Sequence, residues 1–411
     1  MVAGGRWSLV VAGGGTAGHV MPALSIAEAL VERGYSRDSI GFVGSRRGLE
    51  ATLVPRAKFP LELMPGRGIP RRLSPAVLGA VAGIGWAFVL SVVSLLRHRP
   101  RAVVTVGGYA GFPAALAARL CRIPVVVAES NAVAGISNRL ASRFAAGCAV
   151  AFPGTGLRNE VVTGNPVRPA ITAIGEDPNA RARAREELGL PADRFTVLAF
   201  GGSLGARRIN EATTGMCRAL SGRSDIAVRH VFGRRDWPGT QRAISEVFGA
   251  VGSDISHGEP AQDPVGSDIS HGEPAQDPVG QAGPPRGHLL YQAVEYEDRM
   301  DLALAAADLI VSRAGATTVA EVCAASRAAL LVPLPGSPGD HQGANARVLE
   351  QGGAAVVLPD GACTGEELAA VITDLATDPA RTQCMGRNAR ALARPGAAQA
   401  IAELVERCAR T

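Results

Sequence analysis

Three glycines, a threonine and a histidine follow the first predicted strand, and these residue types can do chemistry together. Gly13–Gly18, GGGTAG, has the spacing G-x-G-x-x-G, and His19 comes directly after it. Backbone amides in such a turn, with the positive end of the next helix, suit a phosphate group. An imidazole titrates near neutral pH and can move a proton beside that phosphate. We therefore predict a functional His19, against the alternative of an ordinary exposed helix residue.

The same glycine spacing is the dinucleotide fingerprint of Rossmann-like folds, which leaves a second activity open. An NAD site has Asp or Glu at the end of the second strand, whereas this chain reads VGSRR there. Arg46 and Arg47 are able to accept the 2′-phosphate of NADP. An NADP-dependent oxidoreductase therefore stays an alternative.

Two further glycine loops, GGSLGA at Gly201–Ala206 and RAGATTVAE at Arg313–Glu321, each follow a predicted strand. Their amides suit a diphosphate. Thr318 and Glu321 have the spacing of a helix capping box. The alternative, which three glycine loops at one site favour, is that Glu321 accepts hydrogen bonds from ribose hydroxyls.

A single acid stands in a strongly basic stretch. Residues 63–159 contain eleven arginines and one acid, Glu129, although the whole chain carries a net charge of only +5. Glu129 either pairs with an arginine or joins the site, alone or with Asn131. The basic half suggests an anionic surface or substrate rather than nucleic acid. No Asp-x-Asp occurs, so we predict no metal, and loop amides with Arg168 would meet the charge of a leaving diphosphate.

Short β-branched runs alternate with helical patterns twice along the 411 residues, which predicts an α/β protein with two doubly wound, Rossmann-like parallel-sheet domains facing across a cleft. The predicted strands are Leu9–Ala12, Ile40–Val43, Ala102–Val106, Val125–Ala128 and Cys148–Ala151, then Thr196–Phe200, Val228–Phe232, Leu309–Ser312, Ala329–Val332 and Ala355–Val357. The predicted domains are 1–166 and 167–395, followed by a terminal helix at 396–411. VGSDISHGEPAQDP occurs twice in succession over 251–278, and we predict a disordered surface insert at 251–280.

Residues 73–96 form an uncharged, apolar run flanked by arginines. Three interpretations stay open: a membrane-spanning helix, a buried crossover helix, and a helix whose apolar face docks on an anionic bilayer surface. The last is favoured, because spanning would separate strands of one sheet. Seven scattered cysteines indicate a reducing compartment, and the first residues leave no room for a signal peptide.

The motifs together resemble glycosyltransferase family 28. They are GGGTAGH near the start, TVGGYAGFPAA at Thr105–Ala115, ESNAVAGISNR at Glu129–Arg139, GNPVR at Gly164–Arg168, GGSLGAR at Gly201–Arg207, SRAGATTVAE at Ser312–Glu321 and DHQGANA at Asp340–Ala346. The resemblance implies a GT-B fold and a cell-wall enzyme that transfers GlcNAc from UDP-GlcNAc, with inversion, to the MurNAc 4-hydroxyl of lipid I, giving lipid II. It implies no cofactor. Another GT-B transferase with a different lipid acceptor stays an alternative.

The resemblance also implies a role for each matching position. The implied acceptor side comprises Thr16, Ala17, Gly18 and Asn131; the implied donor-diphosphate contacts are Arg168 and Ser203; Ala316, Thr317 and Thr318 hold phosphate, Glu321 holds ribose, and Gln342 and Asn345 read the GlcNAc hydroxyls. His19, aided by Glu129, is the implied catalytic base. The implied location is peripheral, on the cytoplasmic face of the membrane, in contact with other cell-wall synthesis and division proteins.

Two departures from the family pattern lead to expectations of their own. Ala17 replaces a usual glycine, which is mild if its φ is negative. The segment AASRA at 324–328 lacks the usual glycine-leucine-proline turn, which puts the entry of the following strand in question.

Overall fold

The computed structural model describes residues 6–46, 48–65, 75–202, 205–240 and 288–409. The predicted insert at 251–280 lies outside them, so its disorder stays a prediction. Arg47 and Ser203, from the first and second halves of the chain, also lie outside the described residues.

A parallel sheet of seven strands occupies the first part of the chain. Its strands are Leu9–Ala12 (β1), Ile40–Ser45 (β2), Leu61–Met64 (β3), Ala102–Thr105 (β4), Val125–Glu129 (β5), Gly147–Val150 (β6) and Glu160–Val162 (β7). Their order is β3-β2-β1-β4-β5-β6-β7, with parallel pairing throughout. The order reverses direction between β1 and β4, and doubly wound sheets bind ligands at such a point.

A second sheet has six strands. They are Phe195–Phe200 (β8), Ile226–Val231 (β9), Leu290–Val294 (β10), Leu309–Ser312 (β11), Ala328–Leu331 (β12) and Ala355–Val357 (β13). Their order is β10-β9-β8-β11-β12-β13. The pairs β10–β9, β9–β8, β8–β11 and β12–β13 are parallel. Both sheets therefore have the doubly wound order that the alternating sequence pattern predicts.

The described helices connect and cover these strands. They are Ala17–Glu32 (α1), Glu50–Arg56 (α2), Pro75–His98 (α3), Gly111–Leu120 (α4), Ile136–Ala141 (α5), Pro169–Ile174 (α6), Ala180–Glu187 (α7), Arg207–Ala219 (α8), Met300–Ala306 (α9), Ala316–Ala324 (α10), His341–Gln351 (α11), Gly365–Thr377 (α12), Pro379–Leu392 (α13) and Ala397–Cys408 (α14).

Ten strands occur where the sequence predicts them, and three others were missed. The missed strands β3, β7 and β10 are each the outermost strand of a sheet. Each also contains a long polar residue, Glu62, Glu160 or Gln292, which breaks the apolar run that marks a strand. An outer strand has one neighbour, so it needs less apolar surface than a central strand.

The terminal helix α14 completes the core of the first sheet. Ile401, Leu404 and Val405 are buried in the same apolar cluster as Leu9 of β1 and Ile26 of α1. Their spacing places them on one helix face, which explains why this distant segment folds as an amphipathic helix.

Compact packing groups the chain into two units. The larger unit comprises Met1–Pro178, Ala314–Val357 and Cys384–Thr411, and the smaller comprises Asn179–Arg313 and Leu358–Gln383. The predicted domain boundaries at 166/167 and 395/396 follow the sequence pattern rather than this packing, and they stay a prediction.

The turn before β12 forms without the family's glycine. Ser326 takes the left-handed conformation, with φ of 58°, and β12 begins at Ala328. The side-chain oxygen of Ser326 is buried and has no hydrogen-bond partner among the described residues. The strand is therefore entered correctly, but at the cost of backbone strain and an unsatisfied hydroxyl.

We expect Ser326→Gly to stabilise the protein by about 1 kcal/mol, because glycine takes a positive φ without strain and removes the buried hydroxyl. Urea unfolding measures the free energy, and Ser326→Ala is the matched control. Alanine removes the hydroxyl but keeps the strain, so it should gain less than glycine. Equal stability for the glycine variant and the parent protein would contradict this explanation.

Candidate active site

The first glycine loop leaves β1 in a conformation that side chains rarely adopt. Gly13, Gly14 and Gly15 have φ values of 131°, 139° and 103°. Helix α1 begins two residues later, at Ala17, which has no positive φ. The first amides of a helix have no intrahelical carbonyl partner, so those of Ala17 and Gly18 are suited to an anion. Alanine in place of the family's usual glycine at position 17 therefore causes no backbone strain, as expected.

A pair of glycines after β4, Gly107 and Gly108, touches the first glycine loop. A Cβ atom added to Gly13 would lie 2.4 Å from the carbonyl oxygen of Gly107, and one added to Gly108 would lie 2.3 Å from that of Gly14. Only glycines allow this approach. The two loops meet because β1 and β4 are neighbours at the switch point of the sheet.

His19 lies in the first turn of α1, half-buried beside these loops. Its Nδ1 atom is 3.1 Å from the Oγ1 atom of Thr16. Burial lowers the pKa of His19 below its ordinary value; Glu129 and Glu50 oppose this effect, and His341 adds to it. The imidazole is therefore neutral at neutral pH, which a general base requires. If Nδ1–H donates to Thr16, the lone pair of Nε2 is left to accept a proton.

Glu129 ends β5 as a buried carboxylate that accepts four hydrogen bonds. Its Oε1 accepts from the backbone N–H and the Nδ2 of Asn131, at 2.9 and 3.0 Å. Its Oε2 accepts from the N–H of Gly135 and the Nδ2 of Asn138, both at 2.9 Å. Four bonds fill the acceptor sites of a carboxylate. The contacts thus favour a positioning role, and a role as base stays a prediction.

Asn131 and Asn345 bond to each other. The Nδ2 atom of Asn345 donates to the side-chain oxygen of Asn131 at 3.2 Å and to the carbonyl of Ala314 at 3.1 Å. Its Oδ1 accepts from the N–H of Ala132 at 2.8 Å. Asn345 is fully buried. Its amide ties the loops after β5 and β11 to α11 within the larger unit, so reading GlcNAc would require it to exchange these partners.

Gln342, one turn earlier on α11, is half-buried. Its side-chain oxygen accepts from the N–H of Leu334 at 2.9 Å, while its side-chain nitrogen has no partner among the described residues. A free amide donor of this kind is able to bond a sugar hydroxyl.

Helix α10 begins at Ala316, with Gly315 as its N-cap, and so presents its first amides at the third glycine loop. Thr318 is thus the third helical residue, and the capping-box interpretation of Thr318 and Glu321 is wrong. The Oγ1 atom of Thr317 is buried with no partner among the described residues. An unsatisfied hydroxyl at a helix N-terminus fits the predicted phosphate site.

Glu321 and Arg168 form an ion pair, with 3.0 Å between Oε1 and the guanidinium nitrogen. Burial raises the pKa of Glu321, and the charge of Arg168 opposes that rise. Because an acid with a raised pKa takes up its proton at a higher pH, this carboxylate is lost as a hydrogen-bond acceptor earlier on acidification than an exposed glutamate.

Two neighbours of His19 were missed in the sequence. Glu50 opens α2 and bonds to the first glycine loop; the available signal was an acid in a first helical turn after a glycine-rich strand end. His341 opens α11, and its Nδ1 donates to the carbonyl of Pro338 at 2.8 Å. No spacing in the sequence brings His341 to His19.

Family models agree with this organisation. The glycosyltransferase family 28 N-terminal domain matches residues 9–150, and the family 28 C-terminal domain matches residues 269–404. The chain belongs to glycosyltransferase family 28. The two family 28 domains contain most strands of the two parallel sheets.

Curated relatives in family 28 align over nearly the full length. One is the UDP-N-acetylglucosamine–N-acetylmuramyl-(pentapeptide) pyrophosphoryl-undecaprenol N-acetylglucosamine transferase of Desulforudis audaxviator (strain MP104C), 35% identical over 406 residues, with 98% of each chain covered. The enzyme of the same name from Nocardioides sp. (strain ATCC BAA-499 / JS614) is 37% identical over 398 residues, with 97% of each covered.

The crystal structure of Acinetobacter baumannii MurG is also similar. It matches with a TM-score of 0.70 and 28% identity, covering 97% of this chain and 98% of that one. The prediction of a GT-B architecture with two Rossmann-like domains is confirmed.

Proposed function

We propose that this protein transfers GlcNAc from UDP-GlcNAc to the MurNAc 4-hydroxyl of lipid I, giving lipid II. The activity named for the relatives that align over nearly the full length supports the proposal. The observation that carries the chemistry is the position of the His19 imidazole, half-buried in the first turn of a helix that a glycine loop opens, where burial lowers its pKa. Such a site provides a base next to an anion, which an acceptor bearing a diphosphate requires.

In this proposal the 4-hydroxyl attacks C1 of GlcNAc from the face opposite the departing UDP, which inverts the anomeric centre. His19 takes the hydroxyl proton through Nε2. The amides of Thr16, Ala17 and Gly18 bind the acceptor diphosphate. Glu129 and Asn131 hold the adjoining loop in place.

The donor contacts lie around α10 and α11. The amides and hydroxyls of Ala316, Thr317 and Thr318 receive phosphate, helped by the helix N-terminus, and Ser203 adds a contact. Arg168 meets the charge of the leaving diphosphate, since its guanidinium is part-exposed beside Glu321. Glu321 accepts from the ribose hydroxyls, and Gln342 with Asn345 reads the sugar.

A transfer assay tests this function. Labelled GlcNAc from UDP-GlcNAc should appear on a short-chain lipid I analogue, and chelation by EDTA should not stop it. If no transfer occurs but UDP-GlcNAc still protects the protein from thermal unfolding, the assignment of UDP-GlcNAc as donor is supported and the assignment of lipid I as acceptor is rejected. Neither transfer nor protection would reject the activity.

We further propose that α3 and α4 dock on an anionic membrane surface. Among the described residues no helix is sufficiently long and apolar to cross a bilayer. Yet α3 exposes a stripe of apolar side chains at helical spacing, and the neighbouring α4 adds two more. The stripe consists of Trp86, Val89, Val93, Leu96, Leu116 and Leu120, each between 39% and 63% exposed.

Exposed arginines border this stripe: Arg97, Arg99, Arg119 and Arg122. Arg99 and Arg122 have φ values of 51° and 54°, just after α3 and α4, where glycine is usually preferred. Keeping arginine there costs conformational energy, which a charge bound to anionic lipid would offset at about 1 kcal/mol each. The proposed membrane surface is the cytoplasmic leaflet, where the lipid I acceptor is accessible to this enzyme. Contacts with other cell-wall synthesis and division proteins are proposed at the same surface.

Replacing Trp86 and Val93 with serine should weaken binding to vesicles containing phosphatidylglycerol by roughly 100-fold or more, because about 1.5–3 kcal/mol of apolar burial per side chain is lost. Vesicle cosedimentation measures the loss. Tyr296→Ser, at an exposed position in the loop after β10, is the control and should bind as the parent does. If the double variant binds the vesicles as the parent protein does, the proposal that α3 contacts the membrane is wrong.

A further inference from the structure

A carboxylate is buried beneath the first glycine loop. Glu50 is 1% exposed, and both of its oxygens accept backbone hydrogen bonds. Oε2 accepts from the N–H of Gly15 at 2.8 Å, and Oε1 accepts from the N–H of Ser45 at 2.6 Å. One side chain thus joins the glycine loop after β1 to the end of β2.

The charge of Glu50 is held mainly by backbone. It makes no ion pair with any residue that the structure describes. Glu50 is the first residue of α2, so the positive end of this helix lies at its carboxylate. Together with the two N–H donors, the helix end stabilises the negative charge, as a cation would.

Three glycines leave room for this carboxylate. A Cβ atom added to Gly14 would lie 2.6 Å from the Cδ atom of Glu50. One added to Gly44 would lie 2.4 Å from Cγ, and one added to Gly48 would lie 2.1 Å from Oε2. Any side chain at these positions would displace the glutamate. The glycine at position 14 therefore provides space for Glu50 as well as a tight turn.

The bond from Gly15 divides the loop amides into two groups. The N–H of Gly15 is occupied by an internal anion, so the amides that remain for an external phosphate are those that open α1. Without the carboxylate, Gly15 would lose the partner that fixes its N–H, and three consecutive glycines have little else to restrict their conformation.

We propose that Glu50 is the positioning residue of the acceptor side: its carboxylate fixes the first glycine loop so that the start of α1 and His19 are presented to the acceptor. This inference rests on the proposed function, since it concerns the same reaction. It adds a residue to which the sequence resemblance assigns no role.

The test is Glu50→Gln in the full-length protein, with Glu28→Gln as the matched control. A glutamine is the same size, but its NH₂ group cannot accept, so one of the two backbone donors loses its partner. We expect kcat/KM for the lipid I analogue to fall by about 10²-fold, because a reacting group that is displaced by about 1 Å from its productive position loses about this much rate. The KM for UDP-GlcNAc should not change. Glu28 pairs with Arg37 at the surface of α1, and its variant should behave as the parent.

The pH profile separates positioning from general destabilisation. The charged groups that act on His19 are Glu129, Glu50 and His341. Removing the charge of Glu50 removes a group that raises the pKa of His19, so the imidazole stays neutral to lower pH. The acid limb of kcat/KM should therefore move to lower pH in Glu50→Gln and stay in place in Glu28→Gln.

Hydrogen exchange in the parent protein gives an answer even if the variant does not fold. The Gly15 amide should be protected without ligand, whereas those of Ala17 and Gly18 should become protected only when the lipid I analogue binds. Unprotected Gly15, or a folded Glu50→Gln with the parent's acceptor kinetics and pH profile, would overturn the inference. If the parent protein itself transfers no GlcNAc to the lipid I analogue, the proposed function is wrong instead.

Discussion

Turnover of a His19→Ala variant is expected to fall by roughly 10²- to 10⁴-fold, the usual contribution of a positioned general base. With Nδ1 of His19 bonded to Thr16, its Nε2 lone pair is able to take the proton of the attacking hydroxyl, whereas Glu129 already accepts four hydrogen bonds. Burial lowers the pKa of His19, so the parent enzyme should keep its kcat/KM at pH values below the ordinary titration range of histidine. The variant should lose this acid limb. GlcNAc transfer to a lipid I analogue across a pH series measures both effects.

Thermal protection by UDP-GlcNAc should survive in His19→Ala, because the donor contacts assigned to Arg168 and Glu321 do not involve this loop. His288→Ala, at an exposed histidine, is the control and should keep the parent's turnover. A folded His19→Ala variant with full turnover would remove His19 as the base and leave Glu129 or His341 to be tested.

Acid should destabilise the protein through a second histidine, His230 of β9. Its Nδ1 lies 2.9 Å from the hydroxyl of Tyr291 and its Nε2 lies 3.1 Å from the Oδ1 of Asn210, with no exposure to water. Burial lowers its pKa to about 3. The unfolded chain takes up a proton at His230 near pH 6.5, whereas the folded chain does so only near pH 3. The free energy of unfolding therefore has its full value above pH 6.5, and it decreases by about 5 kcal/mol as pH falls from 6.5 to 3.

The comparison of His230→Gln with the parent isolates this contribution, because glutamine keeps hydrogen-bonding groups and does not titrate. The free energy of unfolding, from urea dependence of hydrogen exchange in the peptide carrying β9, is measured at pH 7 and at pH 4.5. The parent should lose about 2–3 kcal/mol more than His230→Gln over this interval. His288→Gln should follow the parent. Equal losses in His230→Gln and the parent would show that His230 is protonated in the folded state.

The chemistry of the first loop could be predicted from local sequence. Strand-glycine-helix order needs only neighbouring residues, so the positions of Gly13–Gly18, His19 and the third glycine loop were predictable. Boundaries were less so: a capping box would make Thr318 the N-cap of α10, whereas the N-cap is Gly315 and the helix begins at Ala316. That shift changed Thr318 from a candidate cap into a helical residue, because a cap is defined by backbone conformation rather than by residue type.

The partners of buried polar groups could not be predicted in the same way. Glu129 was a visible candidate as the lone acid of a basic stretch, but its four donors come from the loop after β5 and from α5, whose path back to the carboxylate is set by packing. Asn345 matched a family position, yet the structure commits its amide to residues more than two hundred positions away. Sequence pattern gives residue type and spacing; hydrogen-bond partners between distant segments depend on where the sheets place their loops.

By itself, then, the sequence determined two doubly wound sheets, three glycine loops and an imidazole beside the first, because each depends on residues close together in the chain. Only the tertiary structure decided what supports that imidazole. Glu50 lies five residues past the end of β2, beyond the strand end at which a dinucleotide site carries its acid. Its contact with Gly15, 35 residues away, exists because β1 and β2 are parallel neighbours whose carboxyl ends meet at one edge of the sheet.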